Sequence, residues 1–221
     1  MVSYSPSYLY TSSYSRDAME NNTDRQDIFI KEMPDLSTEP ASLGLFGLAV
    51  AALILSVTYI GFTESGTNSL LIPWILFFGA TTQFVAGLLD YRRKNIFGFT
   101  VFTFFSMAMY SIALTAYINV FTDVKVDTIH YAAGLTAVMV FLVIITAASM
   151  MTNKTLFAIV ISVDIALPIL IAHYIWGIDG TIAGLFLLVT SGLSFYAAGG
   201  ILLNSMAGRT ILPLGGPLWK P

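Results

Sequence analysis

The sequence predicts an all-α integral membrane protein with six transmembrane helices and both termini in the cytoplasm. Three observations carry that reading. Of 221 residues, 56% are hydrophobic and only 10% charged, against roughly a quarter charged in a soluble domain. Six apolar runs follow one another, each near the ~20 residues that span a bilayer as a helix. Once those runs are taken as spans, nine of the ten Lys and Arg residues fall on one side, as the retention of cations in cytoplasmic loops requires.

Residues 1–38 form a polar leader, rich in Ser and Tyr up to Ser15 and in charge from Arg16 to Asp35. No apolar core follows a basic start, so this is not a secretory signal. It offers too little apolar surface to offset the entropy of ordering, so a disordered cytoplasmic segment is expected. Ile28, Phe29 and Ile30 make one short amphipathic patch that suits the membrane surface or the rest of the protein.

The membrane domain is expected over 39–207, with spans near 42–61, 69–89, 96–120, 131–151, 155–176 and 181–205. The separators are short and leave no room for a folded extramembrane domain. Residues 208–221 are expected as a short cytoplasmic tail. Arg16, Arg25, Lys31, Arg92, Arg93, Lys94, Lys154, Arg209 and Lys220 lie on the cytoplasmic side, and Lys125 alone on the other. Tyr59, Trp74, Tyr117, Tyr131 and Trp176 sit near helix ends, where amphipathic rings settle at the membrane interface. Small residues such as Gly44, Gly79, Gly87, Gly184 and Gly200 let helix backbones approach, within one bundle or between subunits.

Few groups inside the spans carry chemistry. Asp164 lies about ten residues into the fifth span, ~15 Å deep, where a charge costs at least ~3 kcal/mol even on the lenient insertion scale. It is a candidate for coupling proton movement to transport, or else a carboxyl satisfied by Ser162 or a facing Thr. Pro168, one turn on, lacks the N–H that would bond the Asp164 carbonyl. Gln83 must find partners in lipid, either a substrate oxygen or a neighbouring helix. His173 reads as a satisfied interfacial imidazole, and Asp90 with Tyr91, Arg92 and Arg93 as a solvated, ion-paired turn.

Several classes are excluded. The chain has no cysteine, hence no disulfide scaffold or thiolate metal site. No Lys lies within a span to hold retinal, and His130 and His173 lie apart with no carboxylate at ligand spacing. Asp164 has no second buried Asp for a protease dyad. No phosphate-cradling loop appears, and a net charge of −3 does not fit nucleic acid. No cofactor and no enzymatic activity are expected. A solute channel or secondary transporter remains, with a non-transporting receptor reliant on the leader as the rival.

Three blocks then bear a family resemblance. Glu39-Pro40-Ala41-Ser42-Leu43-Gly44-Leu45 resembles the Asn-Pro-Ala-Pro-Leu-Gly-Leu signature that opens the first helix of the acetate uptake transporter family, which includes the bacterial succinate–acetate permeases and their fungal and archaeal relatives. The stretch 78–98, with Gly79, Gln83 and Gly87, resembles the family's second block, and 208–215 its C-terminal tail. The three lie in order across six spans of matching spacing. Glu39 stands where Asn is usual, and Ser42 where the second Pro is usual.

The resemblance implies a homo-hexamer in the cell membrane, each protomer with its own path for acetate, related small monocarboxylates or succinate. The family's path narrows at a Phe, a Tyr and a Leu, and these positions fall on Leu48, Phe105 and Val163. The neck stays apolar but its width differs. Thr82, Gln83 and Ser106 are the polar groups expected to replace part of the hydration shell beside it. An apolar neck costs an acetate ion much of its hydration, and neutral acetic acid far less, so movement linked to protons is expected. A channel for a neutral solute such as urea or ammonia would use a similar neck and is the alternative.

Overall fold

The computed structural model describes residues 39–63 and 70–220. The leader and its Ile28–Ile30 patch lie outside the described residues. Six long helices follow: α1 (Pro40–Ile60), α2 (Leu71–Arg92), α3 (Ile96–Phe121), α4 (Thr128–Ser149), α5 (Lys154–Trp176) and α6 (Thr181–Ala207). All six are long and apolar enough to cross a membrane, and each begins and ends within three residues of the expected span. Glu39, Arg92 to Lys94, Lys154 and residues 208–220 gather at one end of the bundle, hereafter the basic end.

Short polar side chains set where the helices begin. Pro40 opens α1, where its fixed φ is already helical and its missing donor costs nothing. Asn95 Oδ1 accepts from the Gly98 amide at 3.1 Å, and Asn153 Oδ1 from the Leu156 amide at 2.9 Å. Asp127 Oδ1 accepts from the Ile129 and His130 amides. That cap starts α4 three residues before the expected position, because an N-cap acceptor outweighs the polarity of Thr128 and His130.

The helices form a nearly closed ring. α1 packs most extensively on α6 and also on α2; α2 packs on α3, α4 on α5, and α5 on α6, whereas the α3 and α4 backbones stay apart and meet through aromatic rings, Phe104 stacked on Phe141. Close approach of α1 and α6 rests on small residues, with Gly184 against Ile60 and Ser56. Ser42 Oγ donates to the Ala198 carbonyl at 3.0 Å and Ser191 Oγ to the Ala49 carbonyl at 2.8 Å. Such bonds between membrane helices contribute about 0.6 kcal/mol each. The signature glycines serve packing: Gly44 faces the Phe102 ring, Gly79 faces Ala51, and Gly87 faces Thr103.

Two local features differ from the sequence reading. Asp90 is not part of a solvated turn: it lies in the last turns of α2 and is 0% exposed. Its Oδ1 accepts from Asn95 Nδ2 at 3.1 Å, and it packs against Gly98. The tight turn brings Asn95 back over α2, and its amide takes the place of water. The second feature is a π-helical segment, Ile75–Thr82, in the middle of α2. There Thr81 Oγ1 donates to the Leu76 carbonyl, five residues back, at 2.9 Å. Pro168 sits inside α5 without ending it.

Candidate functional site

Two cavities enter the bundle from opposite ends. At the basic end, about 430 Å³ is walled by Leu45, Leu48, Gln83, Phe102, Ile159 and Leu214 among others, with Glu39 and Asn95 at its rim. At the far end, about 580 Å³ is walled chiefly by apolar residues of α3, α4 and α5, including Ile112, Leu135 and Leu170. Phe105 and Val163 belong to the walls of both cavities. Phe105 is 5% exposed and its ring meets Phe141 edge-on, with centroids 6.2 Å apart. Leu48 lines the basic-end cavity only.

The polar candidates divide. Gln83 is 0% exposed and lines the basic-end cavity. Its Nε2 donates to the Gly79 carbonyl at 2.6 Å, within the π segment, while its Oε1 has no protein partner. Thr82 turns away: its hydroxyl donates to the Phe78 carbonyl and lies against Gly47 of α1. Thr82 is absent from the walls of both cavities, and so is Ser106, which is 0% exposed with an unpartnered Oγ.

Asp164 also lies off both cavity walls. Its Oδ2 accepts from Thr146 Oγ1 of α4 at 2.5 Å, and its Oδ1 is buried without a partner. The facing Thr that the sequence reading allowed is therefore Thr146, and Ser162 bonds instead to Thr190 of α6 at 2.7 Å. Successive helix residues point ~100° apart, so Val163 can wall the cavities while Asp164 meets α4.

A third, more polar cavity of about 390 Å³ adjoins the far-end one and shares Leu55, Tyr59 and Tyr131 with it. The Tyr59 and Tyr174 hydroxyls are 2.8 Å apart, and Tyr131 meets Tyr174 edge-on. His173 Nδ1 donates to the Ile178 carbonyl at 2.6 Å, which is the satisfied imidazole expected. Beside it, the Thr181 hydroxyl and amide, with His173, hold the Asp179 carboxyl below its ordinary value. At the start of α4, the His130 ring and amide, then the Ile129 amide, lower Asp127 likewise.

The model of the GPR1/FUN34/yaaH family matches residues 29–213. The chain belongs to this family. Among its relatives is the succinate-acetate/proton symporter SatP of Escherichia coli K12, 26% identical over 181 residues, covering 80% of this chain and 94% of that one. An uncharacterized protein of Methanothermobacter thermautotrophicus is 24% identical over 189 residues, covering 81% and 92%. A solved structure of the bacterial acetate channel SatP superposes with a TM-score of 0.75 at 25% identity, covering 80% of this chain and 99% of that one.

This member of the GPR1/FUN34/yaaH family is thus a six-helix, multi-pass membrane protein. Sequence reasoning missed two features of its cavities. The Tyr59–Tyr174–His173 group lay hidden among aromatics at helix ends, where an interfacial ring and a cavity wall have the same sequence signal. Leu214, on the tail, reaches the basic-end cavity. Its signal was the 208–215 block, which marked the tail as part of the family pattern.

Proposed function

We propose that this protein moves acetate, related small monocarboxylates and the dicarboxylate succinate across the cell membrane, with movement linked to protons. The observation that carries the reading is that Phe105 and Val163 wall both the basic-end and the far-end cavity. Two vestibules meeting at an apolar neck make a path along which a small solute is partly desolvated. A carboxylate ion loses hydration there that nothing apolar replaces, whereas the neutral acid loses much less.

Gln83 supports the proton link. Its unpartnered Oε1 accepts a hydrogen bond only from a donor, and among the two forms of acetate only the acid carries an O–H. Asp164, tied to Thr146 and away from both cavities, braces α5 against α4, and this position lends no support to a proton relay through it. The cation distribution puts the basic end in the cytoplasm. The names of relatives, a succinate-acetate/proton symporter and an acetate channel, agree with the substrate class. The bundle assembles as a homo-hexamer, and Gly192 and Gly199, whose α6 face has no neighbour, suit close contact between subunits.

Uptake of labelled acetate into proteoliposomes at several pH values, with propionate and succinate as competitors, tests the reading. The expected result is uptake that rises as pH falls and is competed by both acids. Uptake of urea or ammonia without acetate uptake would replace it with the neutral-solute channel. Deleting residues 1–38 is expected to leave flux largely intact; a receptor reliant on the leader would lose function.

A further inference from the structure

The last residues do not hang free of the bundle. From 211 to 219 the chain runs as a strap across the basic end, pinned along its length. Asn204 of α6 holds its start: Oδ1 accepts from the Ile211 and Leu212 amides at 2.6 and 3.0 Å, and Nδ2 donates to the Leu212 carbonyl at 2.8 Å. Tyr196 Oη donates to the Pro213 carbonyl at 2.7 Å. The Leu214 carbonyl accepts from both the amide and the hydroxyl of Thr155. The Leu218 and Trp219 amides both donate to the Met150 carbonyl.

The seat for Leu214 is shaped on both sides. At Gly200 of α6, a Cβ would stand 2.7 Å from Leu214 Cδ2, so a larger residue there would push the Leu214 side chain aside. Gly215, next along the strap, has φ 77, a conformation that costs other residues ~1 kcal/mol or more. Leu214 packs with the apolar cluster that includes Leu45, Leu48 and Phe102, and it walls the basic-end cavity. A tail needed only as an end of chain has no use for a shaped seat and backbone bonds to three elements.

We propose that Leu214, held by this strap, sets the width of the basic-end mouth and selects substrates by size. The inference rests on the carboxylate-path reading above. A leucine there passes acetate more freely than a longer-chain acid such as butyrate, and the anchoring bonds keep it from yielding.

The test compares acetate and butyrate flux in proteoliposomes of the full chain carrying Leu214→Ala, Leu214→Trp and, on the strap but off the cavity, Leu218→Ala. The butyrate-to-acetate ratio is expected to rise ~3-fold or more in Leu214→Ala, the order of discrimination that a few methylenes in an apolar pocket provide. It falls in Leu214→Trp and stays unchanged in Leu218→Ala. An unchanged ratio in both Leu214 variants overturns the proposal. A second readout does not depend on transport. The chain has no cysteine, so Leu214→Cys is a unique thiol, expected to react with a small methanethiosulfonate reagent and to be shielded by butyrate. An unreactive Cys at 214 overturns its placement at the mouth, whatever the wild type carries. A reactive one with no wild-type carboxylate flux sinks the transport reading alone.

Discussion

Val163 and Asp164 are neighbours on α5 with different surroundings: Val163 walls both cavities, while Asp164 is bonded across the helix interface to Thr146 of α4. One residue therefore faces the cavities and the next the neighbouring helix.

That division gives the first prediction. Val163→Phe is expected to cut acetate flux at least ~10-fold, about 1.4 kcal/mol on the barrier, with the protein still folded. Undiminished flux removes Val163 from the neck.

Asp164→Asn keeps a side chain able to bond Thr146, and both the acetate rate and its pH profile are expected to survive. A flattened pH profile at preserved expression would return Asp164 to the proton path.

Gln83→Leu removes the buried amide and its bond to the Gly79 carbonyl. A lost hydrogen bond of about 1 kcal/mol corresponds to a roughly fivefold rise in the acetate concentration for half-maximal uptake. Gln83→Glu, which restores an acceptor, is expected to recover part of it. Equal kinetics in all three proteins would confine Gln83 to helix packing.

Gly44→Ala forces a methyl into the Phe102 ring, since a Cβ there lies 2.5–2.9 Å from its atoms. Overpacking of this kind costs about 1–3 kcal/mol, visible as a lower thermal midpoint in detergent. Gly134→Ala meets nothing within 4 Å and should leave the midpoint where it was. Equal midpoints for the two would contradict the packing described.

Asp127 predicts an acid limit at the start of α4. Its folded pKa lies below the ordinary 3.8, so its contribution is full above that value and is lost as pH falls through the lower, folded one. Protection of the Ile129 and His130 amides, their exchange relative to the intrinsic rate, should therefore fall in acid below about pH 3.8 in the wild type. Asp127→Asn, which caps without titrating, should flatten that dependence; an identical acid response in both would exclude the carboxylate as its source.

Six spans and their order were legible because apolar length is a property of local sequence. Of the three residues expected at a neck from register within a family pattern, Phe105 and Val163 wall both cavities and Leu48 walls one. The polar residues were less legible. Thr82 and Gln83 are adjacent and equally able to bind a solute, yet one faces Gly47 and the other a cavity. The direction each takes depends on the π segment that ends at Thr82, and no residue in 75–82 announces that geometry. Asp90 misled for a related reason: beside three cations it resembles solvated charge, and only the return of Asn95 over it makes it interior.

The π segment Ile75–Thr82 also acts as a phase shift within α2. A wide turn holds one residue more than an α-turn, so the faces of α2 before and after it are offset by roughly 100°, the rotation of one residue. Gln83 lies directly after the shift. Winding 75–82 as α at unchanged length would carry Gln83 round from the cavity toward a neighbouring helix or lipid, whereas excising one residue there would rewind the helix and leave Gln83 where it is. The composition of the cavity wall is thus written in the winding of the helix as much as in its letters.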